Sequence, residues 1–193
     1  MYKNLTDEQL IQLIAKNKDK KAFNEIYERY NKPIYNYLNK LVFDKDMLEE
    51  IFQEVFTKIY LKASTFKVKY NFKSWIYKIS MNQYIDYYKK LKRKEKFFKD
   101  SEKIKRTKYD VPDIVDDIIE QESIEILKQL IESLPEKFKQ AIILKKIEEF
   151  TYDQAAEIMG VSSRSVKTYV TKGMQILKNK FGNIYEEMLN NKD

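Results

Sequence analysis

Two stretches hold residues whose types and spacing could do chemistry, and in both the chemistry is recognition rather than bond making. "VSSRSVKTYVTKG", residues 161–173, gathers small hydroxyls, two lysines and one of the chain's four arginines (Arg29, Arg93, Arg106, Arg164). If Val166 and Val170, four apart, hold a helix on its domain, the other face shows Arg164, Ser165, Lys167, Thr168 and Lys172, with Ser163 at its start. A recognition helix presents its N-terminal residues to base edges in the major groove, where arginine can bond guanine bidentately. The second stretch, residues 66–93, carries eight bases against a single acid, Asp86, interleaved with Phe66, Tyr70, Phe72, Trp75, Tyr77 and Tyr84. Bases that follow a phosphate backbone, alternating with aromatics on which nucleobases stack, suit a single-stranded nucleic acid. Equally, Trp75, Ile76 and Ile79 would serve as the core of a small bundle. Upstream, Glu50, Gln53, Glu54 and Thr57 stand at i, i+3, i+4 and i+7, a polar stripe opposite Leu48, Ile51, Val55 and Ile59. That stripe is either a docking face or a wet one.

Composition excludes most alternatives. The 193 residues include no cysteine and no histidine, which removes thiolate chemistry, zinc sites built from those ligands and the usual acid–base side chain near neutrality. Gly160, Gly173 and Gly182 are the only glycines and lie too far apart for a phosphate-cradling loop. No metal or other cofactor is expected, and no constellation for an enzyme stands out. No apolar run is long enough to span a bilayer and no signal-peptide pattern opens the chain, so a soluble, cytoplasmic protein is expected, with no membrane insertion.

The net charge of +7 is segmented: +8 over residues 1–93, +4 over 94–109, −7 over 110–125 and +2 over 126–193. A basic first part, a polyampholyte connector and a nearly neutral second part suggest a polyanion partner for part of the surface. A lysine-rich proteome would account for the total charge on its own.

Helical patterns fill both ends. "TDEQLIQLIAKN" opens with Thr6 and Gln9 in capping-box spacing. "KAFNEIYERYNKPIYNYLNKLV" places Phe23, Ile26, Tyr27, Tyr30, Ile34, Tyr37, Leu38 and Leu41 at helical intervals, and Pro33 predicts a kink or break. "DKDMLEEIFQEVFTKIYLKA" and "FKSWIYKISMNQYIDYYKKLKRK" continue the series, with Leu48, Ile51, Phe52, Val55 and Ile59 inward in the former. From about Glu95 to Ile119 apolar residues thin out, which predicts a flexible linker. Beyond it, "TYDQAAEIMGVSSRSVKTYVTKG" has helix-turn-helix spacing: Thr151 and Gln154 as a capping box, Ala156 at a close crossing, Gly160 at a positive-φ C-terminus, Val161 plugging the core, and Ser162 or Ser163 as the next cap. The fold class expected is all-α, two small helical domains joined by a flexible linker: residues 1–94, a linker at 95–122, and residues 123–193.

The order "LEEIFQEVF", "FKSWIYKISMNQYID" with its basic run, a variable linker and "LPEKFKQAIILKKIEEFTYDQAAEIMGVSSRSVKTYV" resembles the extracytoplasmic-function (ECF) sigma factors of the sigma-70 superfamily. The resemblance implies region 2 at residues 1–94 and region 4 at 123–193, with no region 3 between. It implies core RNA polymerase (β′ clamp helices and β flap) and promoter DNA as partners, and an anti-sigma factor as a further candidate. Glu50, Gln53 and Glu54 match positions that dock on the clamp helices. The loop from Ser64 to Lys73 matches the segment that captures a flipped base of the −10 element, with Lys67, Lys69, Asn71 and Lys73 in it. Trp75, Asn82 and Asp86 match positions of the −10 helix, along which Lys78, Lys89 and Lys90 would follow DNA. Ser163, Arg164, Ser165, Lys167, Thr168 and Lys172 would meet the −35 element.

Three departures bear on promoter sequence: Gln154-Ala155-Ala156 where the family usually has Glu-Ile-Ala, Arg164-Ser165 where small residues are common, and Lys172-Gly173 where an arginine pair is common. The basic run after Asp86 is mostly lysine where arginine is frequent, which keeps phosphate contacts and loses bidentate geometry. A free-standing helix-turn-helix regulator would explain residues 130–181 and leave the first part idle. An RNA-binding module would leave Arg164 unexplained.

Overall fold

The computed structural model describes residues 2–42, 44–68, 71–98 and 129–190, and among these every regular element is helical. Lys69 and nearly all of the expected linker, from residue 99 on, lie outside the described residues.

The four helices of the first half each start where a short polar side chain takes backbone N–H groups that have no partner in the first turn. Thr6 and Gln9 form the expected capping box on α1 (Asp7–Asn17), with bonds of 2.8 and 3.2 Å. Asp19 caps α2 (Lys20–Asn39), accepting from the Lys21 and Ala22 N–H groups. Asp44 caps α3 (Lys45–Lys62) through Met47 N–H at 2.8 Å, and Asn71 caps α4 (Phe72–Phe98) through Ser74 N–H at 3.1 Å. Such caps are worth about 1 kcal/mol each.

One expectation needs correcting: the chain does not break at Pro33. α2 runs as one helix through Pro33. Proline forfeits one backbone bond, but its side of the helix is exposed while Ile34, Tyr37 and Leu38 behind it are wholly buried, and that burial outweighs the loss. α4 runs on to Phe98, through Lys94-Glu95-Lys96-Phe97, which contains no glycine or proline to stop it. Arg29 is held structurally, bonded to Asp7 at 2.8 Å and Glu25 at 2.9 Å, tying α2 to the start of α1.

In the second half, residues 129–132 are helical and Pro135 opens α5 (Glu136–Ile142), which passes into a π-helical turn, Ile143–Ile147. The turn closes with Glu148 N–H on the Ile143 carbonyl (2.9 Å) and Phe150 N–H on that of Leu144 (3.0 Å), with Glu149 left-handed at φ 59°. α6 (Tyr152–Met159) and α7 (Ser163–Asn190) complete the chain. Leu10, Ile26, Tyr37, Val55 and Ile76 of the first half and Leu144, Phe150, Ala155 and Val166 of the second belong to one continuous buried apolar cluster. The two helical halves therefore share a core.

Gly173 is buried where α7 meets α5: a Cβ there would stand 2.7 Å from Ile142 Cδ1 and 3.1 Å from Phe138 Cβ. The Ile142 methyl can turn aside, but the Phe138 Cβ is fixed to its backbone. Gly173→Ala is expected to lose about 1–2 kcal/mol net, overpacking outweighing the gain in helix propensity. Urea unfolding would show a lower midpoint at unchanged slope; a midpoint at or above that of wild type would mean that α5 and α7 part without cost.

Candidate nucleic-acid and partner interfaces

Residues 151–172 make a helix-turn-helix whose turn is set by backbone chemistry. The Thr151–Gln154 capping box starts α6, with bonds of 2.9 and 3.2 Å. Gly160 ends it at φ 67°, and the Val161 N–H reaches back to the Ala156 carbonyl at 3.1 Å. Val161 does not plug the core: the left-handed turn leaves it 37% exposed, and Ala155, Ala156, Ile158 and Val166 are the buried residues there. Ser162, of the two serines, is the cap of α7: its Oγ accepts from Ser165 N–H at 3.1 Å and its carbonyl from Val166 N–H at 3.1 Å. Val166 and Val170 are buried, as their spacing predicts.

The six residues expected to face duplex DNA divide by what already holds them. Arg164, Lys167, Thr168 and Lys172 are exposed along one side of α7. Ser163 and Ser165 are half-buried. The Ser163 hydroxyl bonds Asp153 of α6, the Ser165 hydroxyl lies 2.8 Å from that of Ser162, and the Thr168 hydroxyl donates to the Arg164 carbonyl at 3.0 Å. The long cations are thus the side chains left reaching outward, while the hydroxyls shape the helix start.

On α3, Glu50, Gln53, Glu54 and Thr57 all lie exposed on one face. Two neighbours of this stripe are not legible from its spacing. On one side lies an apolar patch built from Phe23, Tyr27, Phe52, Phe56, Tyr60 and Leu61, which also borders Gln53 and Thr57. Phe52, expected inward, is only half-buried, Tyr27 is 37% exposed and Leu61 62%. The repeat Phe52, Phe56, Tyr60 along α3 is the one sequence signal of this patch. On the other side Glu50 and Glu54 share a cleft with Lys58, Asp86, Lys89, Lys90 and Arg93, because α3 and α4 pack against each other. Partial burial first, and then Glu50 and Asp44, push the Tyr87 hydroxyl in this cleft above its ordinary pKa. The acidic stripe and the basic tail of α4 therefore border one another.

The segment before α4 is less uniform than its composition suggests. Lys67 is exposed, Asn71 serves as the cap, and Lys73 lies over Phe150 of the second half, 4.9 Å from its ring centre, and 5.8 Å from that of Tyr77. Trp75 is half-buried in an aromatic cluster with Phe66 (5.5 Å) and Phe72 (5.7 Å). Asn82, Asp86, Lys89 and Lys90 are exposed along α4 and Lys78 is half-buried. Tyr77 and Tyr84, which a stacking surface would use, are buried instead, donating to Glu148 at 2.9 Å and Glu136 at 2.7 Å. Burial, reinforced by those carboxylates, pushes both hydroxyls far up, so they stay protonated donors. Among the described residues no helix is long and apolar enough to cross a membrane.

Two family models match the chain in order: Sigma-70 region 2 over residues 26–94 and Sigma-70, region 4 over residues 124–177. The ECF RNA polymerase sigma-E factor of Haemophilus influenzae is 28% identical over 186 residues, covering 93% of this chain and 97% of that protein. The ECF RNA polymerase sigma factor SigW of Bacillus subtilis is 29% identical over 172 residues, covering 85% and 91%. Among solved structures, CnrH in complex with the cytosolic domain of CnrY shares the fold at a TM-score of 0.68 and 15% identity, covering 92% of this chain and 97% of that one. The sigma factor RpoE of Bartonella quintana, in complex with the anti-sigma factor NepR, does so at 0.66 and 21%, covering 82% and 96%.

Proposed function

Because the chain belongs to the sigma-70 family, in its extracytoplasmic-function group, we propose a division of labour among its surfaces that follows their geometry. The protein is a sigma factor that binds core RNA polymerase and directs promoter-specific initiation. In this reading it acts by binding alone, in the cytoplasm, with residues 1–94 and 123–193 as its two working parts.

The observation that carries the assignment is the orientation of α7. Val166 and Val170 anchor it, so Arg164, Lys167, Thr168 and Lys172 face outward together, where a major groove would take them. These residues, with Ser163 and Ser165 supporting the helix start, read the −35 element as duplex. Glu50, Gln53 and Glu54, with the apolar patch beside them, dock on the β′ clamp helices, and the second half rests on the β flap. An aromatic patch rimmed by polar groups is the anatomy of a protein interface. Lys78, Asn82, Lys89 and Lys90 follow the non-template strand of the −10 element from that docking site outward, and Trp75 supports the loop from Ser64 to Lys73. That acids for a protein and bases for DNA share one cleft supports this: melting happens where polymerase is held. The solved relatives bound to CnrY and NepR support an anti-sigma factor as a further partner.

The test is capture by bacterial core polymerase together with promoter-dependent transcripts; a chain that binds an operator as a homodimer and ignores polymerase would instead be a free-standing regulator. Within this reading, replacing Lys67, Lys69 and Lys73 by alanine should leave capture intact. It should also weaken open-complex formation and flatten its salt dependence, by about one unit of slope for each phosphate no longer neutralised. Permanganate footprints over a salt series would show it. Wild-type melting and slope would make the loop structural only.

A further inference from the structure

The cleft between α3 and α4, about 350 Å³ in volume, carries both signs of charge, and they have not neutralised one another. Lys58 of α3 and Lys89, Lys90 and Arg93 of α4 line it beside Glu50, Glu54 and Asp86. Among the described residues none of these cations is in an ion pair, and Lys58 donates instead to the side-chain oxygen of Gln83. Gln83 is the second sign of a built site. It is only 9% exposed, its oxygen is taken by Lys58, and its amide nitrogen has no acceptor among the described residues. A buried amide keeps such a donor where something in the adjoining cavity can accept from it. Tyr87, half-buried, adds an aromatic wall to the same cleft.

We propose that this cleft binds a free guanine nucleotide carrying two or more phosphates. The chemistry matches group by group. Unpaired lysines and an arginine take the phosphates, Arg93 with the bidentate fork that suits them. A carboxylate accepts from the ring N–H and amino group of guanine, and the neighbouring O6 then needs a donor, which the Gln83 amide supplies. Adenine presents an amino group where guanine has O6, so it meets that amide donor to donor. The Tyr87 ring offers a base something to stack on. Size favours a single nucleotide, since 350 Å³ is at the small end of ligand cavities. The acids favour it too: a continuous nucleic-acid strand would run its phosphates past Glu50, Glu54 and Asp86, whereas the base of a nucleotide requires a carboxylate. A nucleotide seated there occupies Glu50 and Glu54 together with Lys89 and Lys90, so it competes with polymerase docking and with −10 DNA at once. That consequence rests on the sigma reading; the binding itself does not.

Calorimetric titration of the full-length protein with GDP should show a single site. GDP should fill it about tenfold more tightly than ADP, whose base mismatches Gln83, or pyrophosphate, which has no base. Gln83→Glu keeps an acceptor for Lys58 and exchanges the amide donor for an acceptor, so it should reverse the order and favour ADP. Arg93→Ala, at an exposed position, should weaken GDP and ADP alike by about tenfold. Should Gln83→Glu unfold the chain by circular dichroism, Gln83→Met, of similar length and without a donor, should bring GDP and ADP to equal affinity. GDP held no more tightly than pyrophosphate, a preference for GDP over ADP unmoved by the Gln83 substitutions that remain folded, or GDP binding unchanged by Arg93→Ala would each overturn the proposal. Capture by core polymerase separates the two readings. GDP should lower capture of the wild type and lower that of Gln83→Glu much less, which sets aside any effect of GDP on polymerase itself. A chain that binds GDP selectively and never captures polymerase loses the sigma assignment and keeps the nucleotide, while one that captures polymerase and binds no GDP loses the nucleotide alone.

Discussion

Reversing two charges on one face of α3, Glu50→Lys with Glu54→Lys, should abolish capture by core polymerase while leaving helix content unchanged. Both side chains are exposed, and the residues that build the core from this helix, Leu48, Ile51, Val55 and Ile59, lie on its other side. Removing one partner of a close, desolvated ion pair costs about 2–5 kcal/mol, so two such losses would weaken binding by about a thousandfold or more. The fold would feel far less. The new lysines would join Lys58, Lys89, Lys90 and Arg93 around the shared cleft, and exposed like-charge contacts of that kind are worth about 1 kcal/mol or less. Glu28→Lys, an exposed position on α2, supplies the same kind of charge change away from the stripe and should be captured normally. Co-purification with core polymerase, with thermal unfolding of the free variants alongside, decides it. Capture of the double variant at wild-type level would return the stripe to a solvated face and leave the apolar patch to explain docking.

Local features were legible from sequence because each depends on residues a few positions apart. The capping boxes at Thr6 and Thr151, the left-handed Gly160 and the Val166–Val170 anchor all fall in that class, and all are present. What the sequence hid is what depends on a partner far along the chain. Glu136 and Glu148 look like wet helix-end acids, and only the proximity of Tyr84, Lys40 and Tyr77 makes them bridges between halves. Tyr77 and Tyr84 look like stacking aromatics for the same reason. α4 is buried on two sides, Ile76 and Ile79 on one and Tyr77, Met81 and Tyr84 on another, so its apolar residues form no single stripe whose direction could be read. At Pro33 and Val161 the local rule is overridden: burial of Ile34, Tyr37 and Leu38 keeps α2 unbroken, and the left-handed turn at Gly160 leaves Val161 exposed.

The other large effect concerns Arg164 and separates two kinds of DNA contact. With Ser162 as the cap, Arg164 is the second residue of α7, in its first turn, where a side chain reaches base edges while free backbone N–H groups face phosphate. Lys167 and Lys172 sit farther along the same exposed side, suited to backbone contacts that fix register without reading sequence. The hydroxyls that could share base reading are engaged within the protein, Ser163 with Asp153 and Thr168 with the Arg164 carbonyl, which concentrates sequence preference on the arginine. Arg164→Ala should therefore cost about 1–3 kcal/mol on the cognate −35 element and relax preference at one or two base pairs. Lys167→Ala or Lys172→Ala should weaken binding to all sequences alike and lower the salt slope by about one unit each. None of the three should change stability appreciably, since each side chain is exposed. Selecting a randomised −35 library with holoenzymes carrying wild type and Arg164→Ala measures the difference directly. If both selections return the same preferred sequence, Arg164 holds phosphate like its lysine neighbours, and specificity must come from the shape of the duplex against α7.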